Sequence, residues 1–237
     1  MEYSSQKKIM EEILIIAAHP DDEVLGCGAS IAKWRAAGNS VSILIMAEGE
    51  TSRSKFRNRV SKKTELLVLN DSAKKAGEIL GVSSVKLLDF PDNRMDSLDR
   101  LDIIKAIEEE VSRLRPTIVV THHWGDLNID HRVTHEAVIT ACRPQPGNSV
   151  KQILAFEIPS STEWQINYSG NTFNPNWFED VTENFDIKFE ALECYQSEMR
   201  EWPHPRSNEN VRNLAKYRGS SVGYRFAEAF ILLRKVQ

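Results

Sequence analysis

Ile13-Leu14-Ile15-Ile16-Ala17-Ala18-His19-Pro20-Asp21-Asp22-Glu23 is the stretch from which the fold of this chain is read. A continuous apolar run ends abruptly in one imidazole and three carboxylates. The run is short and rich in isoleucine, which predicts a strand buried on both faces. Pro20 suits the first turn of a helix, where its missing N–H costs nothing. A strand feeding a helix through a polar turn is the site-building corner of an α/β fold. A helix N-terminus relieves part of the repulsion among Asp21, Asp22 and Glu23, and a bound cation would relieve the rest. His19 and Asp22 are three residues apart and can meet across one turn, and a nitrogen–oxygen donor pair suits zinc. The plainer alternative is that the acids cap a helix and His19 merely ends the strand.

Outward from this corner the pattern repeats. A helix is expected from about Asp21 to Ala37, stopped by Gly38. Val41 to Met46 reads as a second buried strand, Glu65 to Leu80 as a helix closed by Gly81, and Val85 to Phe90 as a third strand. Leu98 to Leu114 has helical spacing, and Thr117 to Thr121 gives a fourth strand. Beyond that the expected elements are a strand over Gln152–Ile158, helices over Asn184–Met199 and Asn208–Arg218, and a strand over Ala227–Leu233. Residues 1–11 are polar and expected to be loose. The reading is a single Rossmann-like α/β domain over 1–237, with a mostly parallel sheet flanked by helices. Polar residues follow each of the first four strands: His19 to Glu23, Glu48 to Arg53, Asp92 to Arg94, and His122 to His131. In a parallel sheet these ends share one edge, where ligands bind. Arg53, Asp92 and Arg94 are therefore candidate substrate-binding residues, arginine being suited to sugar hydroxyls or to a phosphate. The Lys/Arg-rich segment Ser54 to Lys63 reads as solvated surface rather than an anion-binding rim.

The chain has 237 residues, 41% hydrophobic and 27% charged, with a formal net charge of -4. That balance does not suggest binding to nucleic acid or to an anionic membrane. The three cysteines are widely spaced and odd in number, which points to a reducing compartment, and a cytoplasmic protein is expected. The first apolar run is too short for a membrane span or a signal peptide.

A second cluster lies in Thr121-His122-His123-Trp124-Gly125-Asp126-Leu127-Asn128-Ile129-Asp130-His131-Arg132-Val133-Thr134-His135. A third ligand from Asp130-His131 would complete a two-histidine, one-carboxylate site with an open position, the mark of a catalytic zinc. Asp21, next to Asp22 but facing elsewhere, is then the natural general base. His135, four residues after His131, is a rival ligand, and His122, His123 and Asp126 are candidates for supporting roles.

The two clusters resemble those of the zinc-dependent PIG-L/LmbE-like deacetylases, which remove acetyl groups from N-acetylglucosamine-type sugars. The resemblance extends to Glu48-Gly49-Glu50, Asp89-Phe90-Pro91-Asp92 and Leu127-Asn128-Ile129-Asp130-His131-Arg132. It implies that His19, Asp22 and His131 bind zinc, that Asp21 is the base, and that Asn128 and Asp130 belong to the catalytic group. It implies in turn a hydrolase that frees an amino sugar or related small metabolite, or a glycoconjugate, from its N-acetyl group. The family usually has His-x-Asp-His at the second motif. Here Asn128 replaces the first histidine and can donate a neutral hydrogen bond but cannot carry a proton. The acid for the leaving amine is then Asp21 itself, or one of His122, His123, His135 and His204. His204 lies in a loop stiffened by Pro203 and Pro205. Similar loops in relatives suggest a site wall, supplied across the interface of a homo-oligomer. The loops Ser160–Trp164 and Asn171–Trp177, rich in aromatic and hydroxyl residues, suit sugars. Two rival readings remain: a non-catalytic metal- or sugar-binding protein, and a nucleotide-binding protein, for which Gly26-x-Gly28 lacks a third glycine.

Overall fold

Alternate residues of the first strand enter two different cores, and this places the site. The computed structural model describes residues 10–166 and 170–236. In β1 (Glu12–Ala17), Ile13 and Ile15 face one hydrophobic core while Leu14 and Ile16 face the other. A strand buried on both faces reads as an uninterrupted apolar run because it has no solvent side.

The chain continues through α1 (Asp22–Ala36), β2 (Ser40–Ala47), α2 (Lys63–Leu80), β3 (Ser84–Phe90), α3 (Arg100–Leu114), β4 (Ile118–His122) and α4 (Ile129–Ala141). It then forms β5 (Gln152–Phe156), β6 (Trp177–Asp180), α5 (Phe185–Leu192), α6 (Asn208–Ser220) and β7 (Ala227–Lys235). The strands make one seven-stranded sheet in the order β3-β2-β1-β4-β5-β7-β6. β1 to β5 are parallel, whereas β7 runs antiparallel to both β5 and β6. α1, α2 and α5 pack together on one face of the sheet, and α3 packs with α4 on the other. The strand order reverses between β1 and β4, so the crevice at their C-terminal ends is the switch point where α/β sheets bind ligands.

Two expectations are corrected. Pro20 is not in the first helical turn. The helix starts at Asp22, with Asp21 as its N-cap in a left-handed conformation, φ 115°. The helix expected over Asn184–Met199 ends at Leu192 and tightens into a 3-10 turn over Glu193–Tyr195. β6 is an element that the sequence reading did not assign; it is a four-residue strand with every residue only partly buried, so no apolar run marks it. The basic segment is largely exposed, in keeping with solvated surface, and within it Arg57 and Arg59 both bond the buried Glu48. The looseness expected for residues 1–11 concerns mainly 1–9, which lie outside the described residues.

α1 is broken inside. Cys27 has φ -151° and ψ 24°, outside the helical region. The break frees the Leu25 carbonyl and the N–H groups of Ala29 and Ser30, which an unbroken helix would pair with its own backbone. Buried Lys188 on α5 donates to the Leu25 carbonyl at 2.8 Å, and buried Glu228 on β7 accepts from Ala29 and Ser30 at 3.2 and 2.6 Å. Lys188 and Glu228 also pair with each other at 2.6 Å, so one buried ion pair splints both halves. Gly26 is required here by packing: a Cβ would stand 2.6 Å from the Phe156 ring. This gives Gly26 a reason unrelated to nucleotides.

Candidate metal centre and cleft

The ends of β1 and β4 bring the two sequence clusters together. His19, Asp22 and His131 offer ligand atoms that all lie within 4.8 Å of one another. Asp22 Oδ2 is 3.3 Å from His19 Nδ1 and 3.2 Å from His131 Nε2. Asp22 Oδ1 and His131 Nε2 are buried and make no hydrogen bond. Unpaired buried polar atoms are rare and costly, and those two point to an absent partner. Nitrogen and carboxylate donors in this number suit a zinc-like cation with an open position. The residues present therefore fit the group that the sequence implied.

The charges agree. Burial opposes it, yet Asp130 and Asp22 raise the His19 imidazole well above its usual value. Burial likewise opposes the rise at His131, which Asp22 and Asp126 carry up to about 9. Asp22 is held well below the carboxylate range, against burial, chiefly by His131 and then His19. The cluster thus takes up protons where a cation would otherwise balance its carboxylates, and a metal would compete with them. His122, His123 and His135 behave oppositely: burial lowers all three.

A carboxylate stands behind each imidazole, as behind metal-ligating histidines. His19 Nε2 lies 3.1 Å from Asp130 Oδ2, and Asp130 accepts the N–H groups of Asn93 and Met95 at 2.6 and 2.9 Å. His131 Nδ1 is 3.1 Å from Asp126 Oδ1, close but not aligned for a hydrogen bond. Asp126 in turn accepts the hydroxyls of Ser161 and Thr162. His122 accepts the Ala18 N–H and stacks on His131. His135 bonds the His122 carbonyl through Nδ1, and His123 bonds the Asn171 carbonyl. Neither belongs to a cluster of potential metal ligands among the described residues.

A cleft of about 180 Å³ opens beside the cluster, lined among others by His19, Asp21, Arg53, Asp92, Asn128 and Arg206. Asp21 is almost wholly buried. Burial pushes its carboxyl up to about 8, against the pull of Arg206 and with help from Asp22, Glu198 and Glu23. Arg206 Nη1 donates to Asp21 Oδ2 at 2.5 Å, and its Nε donates to Ser160 Oγ at 2.8 Å. The left-handed Asp21 backbone is held by Glu23, which accepts the Asp21 N–H at 3.1 Å and the Tyr195 hydroxyl at 2.6 Å. Non-glycine residues in this region are strained and concentrate at functional sites.

Not every sequence candidate reaches the cleft. Arg53 does, held by Glu50 at 2.5 Å and by Glu198 at 2.7 Å. Asp92 does, accepting the Ser52 N–H at 2.9 Å. Asn128 caps α4, its Oδ1 accepting the Asp130 N–H at 2.8 Å while its Nδ2 donates to Asn93 at 2.9 Å. Arg94 instead braces the carbonyls of Ser54 and Lys55. His204 accepts the Arg206 N–H at 3.0 Å, packs edge-on against Trp164 and does not line the cleft. Arg206 and Glu198 were not singled out in the sequence. Arg206 lies in the proline-stiffened loop already noted, two residues past His204; nothing local marks Glu198.

Comparison with known proteins follows the same lines. A family model described as PIG-L, GlcNAc-PI de-N-acetylase, matches residues 14–142. The chain is 32% identical over 191 residues to "Uncharacterized deacetylase YaiS" of Escherichia coli K12, covering 78% of this chain and 90% of that protein. It is 29% identical over 228 residues to the diacetylchitobiose deacetylase of Thermococcus kodakarensis, covering 92% and 82%. In fold it resembles the crystal structure of GalB, the 4-carboxy-2-hydroxymuconate hydratase of Pseudomonas putida KT2440. The TM-score is 0.75 at 23% identity, covering 96% of this chain and 98% of that one. One fold thus carries more than one reaction, and the reaction must be argued from the site.

Proposed function

This chain belongs to the PIG-L family, and from that premise we propose that it is a zinc-dependent hydrolase removing the N-acetyl group of an amino sugar. The observation that carries the reading is the buried His19–Asp22–His131 group, with Asp22 Oδ1 and His131 Nε2 unpaired beside a cleft that holds Asp21. His19, Asp22 and His131 would hold the ion. Zinc bound by three protein ligands acidifies a water and polarises an acyl oxygen.

The chain's own groups do the rest. Asp21 takes a proton from the attacking water and returns it to the leaving amine, acting as base and then acid. Arg206 fixes the Oδ2 end of that carboxylate, leaving Oδ1 for the water. Asp130 keeps the His19 imidazole aimed at the centre, and the Asp126 carboxylate stands behind that of His131. Asn128 spends one N–H on Asn93, and the second N–H of the same amide serves the acyl oxygen as a neutral donor. Arg53 and Asp92 meet the sugar hydroxyls at the cleft wall. His204 and Arg94 act indirectly, by shaping the loops that carry Arg206 and Arg53.

Elemental analysis tests the ligand set. The purified protein should carry about one zinc per chain, as a single three-ligand site requires. His19→Ala, Asp22→Ala and His131→Ala should each lose most of it. Full retention in His131→Ala with loss in His135→Ala would refute the assignment.

A further inference from the structure

The cleft has a charge pattern that bears on which amino sugar it takes. Four carboxylates line it, those of Asp21, Glu50, Asp92 and Glu198, against the two guanidiniums of Arg53 and Arg206. Both guanidiniums are already paired with carboxylates. Arg206 is engaged by Asp21 and Ser160. Arg53 is engaged by Glu50 and by both oxygens of Glu198, at 2.9 and 2.7 Å. No lysine lines the cleft among the described residues. In the nearby basic loop Arg57 and Arg59 bond Glu48, and beyond it Arg94 bonds backbone carbonyls.

Recognition of a phosphate or carboxylate needs unpaired Arg, Lys or backbone N–H donors, in a field of positive sign. In this cleft the two guanidiniums already face carboxylates. Its surplus of carboxylates over guanidiniums suits hydroxyl donors. Resting on the deacetylase reading above, we propose that the substrate is an uncharged N-acetylated amino sugar, and that Glu198, by occupying Arg53, excludes sugars bearing a phosphate or carboxylate. The phosphodiester substrate in the family's name is then outside this chain's range. Glu198 acts as a repulsive element of specificity: it contributes a like charge and masks the one guanidinium an anion could recruit.

The test uses the zinc-loaded protein with N-acetylglucosamine and N-acetylglucosamine 6-phosphate, and follows acetate. The neutral sugar should show kcat/KM at least about tenfold higher, the least expected of uncompensated like charge. Glu198→Gln, which keeps the side-chain shape, should narrow that gap by about threefold or more, chiefly by lowering KM for the phosphate. A gap unchanged in Glu198→Gln would overturn the role of Glu198. Equal or better use of the phosphate by the parent protein would overturn the proposal while leaving the deacetylase reading intact. Competition calorimetry with glucose and glucose 6-phosphate, which have no amide to cut, separates the two claims. If neither of these acetylated sugars nor N,N'-diacetylchitobiose releases acetate, the deacetylase reading fails. Tighter binding of glucose would still support the charge argument, and tighter binding of glucose 6-phosphate would defeat it.

Discussion

The two helices that meet at the candidate metal centre begin in opposite ways. α4, which carries His131, starts on Asn128 with φ -69° and ψ 129°, and the Asn128 side chain caps it locally. α1, which carries Asp22, starts on Asp21 with φ 115° and no side-chain cap, and it breaks again at Cys27. What α4 obtains from its own sequence, α1 obtains from residues more than 160 positions away: Tyr195 through Glu23, and Lys188 and Glu228 at the break. A left-handed aspartate costs conformational energy, on the order of 1–3 kcal/mol, and persists only where the surroundings over-determine it. The strain therefore sits at the end that carries the proposed base, and the rest of the fold holds it there.

The largest effect should come from the splint. Lys188→Met leaves Glu228 buried without its cation and should destabilise the protein by about 3 kcal/mol, within the range for breaking a buried pair. Denaturant unfolding would measure it, and zinc retention should fall with it because Asp22 lies on the half-helix it supports. Tyr195→Phe should be next. It strips a hydroxyl from a buried carboxylate, at a cost of about 2 kcal/mol. It should also lower activity per zinc-loaded molecule, since Glu23 then holds the Asp21 backbone less firmly. Unchanged turnover per zinc in folded Tyr195→Phe would reduce that contact to a purely structural one. Smallest is Asn128→Ala, which removes an ordinary cap worth about 1 kcal/mol. If Asn128→Ala proved more damaging to stability than Lys188→Met, the contrast between the two helices would be inverted.

The contrast also explains what could be read in advance. β1, β2 and β4 are buried on both faces, so their sequences are plain apolar runs, and the polar residues after them had to gather at one edge. His19, Asp22 and His131 were legible because their chemistry is written in short local motifs. The second half was less so: β6 is short and partly buried at the sheet edge, and the end of α5 loses its helix without a proline or glycine to mark it. Arg206, Glu198 and Tyr195 acquire their parts only when the chain closes, since each meets its partner across at least 145 residues. The left-handed Asp21 was not legible either, because aspartate normally caps a helix through its side chain, as Asn128 does for α4.

The most direct test of the account follows acetate released from N,N'-diacetylchitobiose by the zinc-loaded protein, by the same protein after chelation, and by Asp21→Asn with zinc restored. The account predicts release that stops on chelation and returns with zinc. It also predicts an Asp21→Asn protein that keeps its zinc and is slower by about two to four powers of ten, the range for losing a general base. Normal turnover by Asp21→Asn, or full release by the metal-free protein, would contradict it.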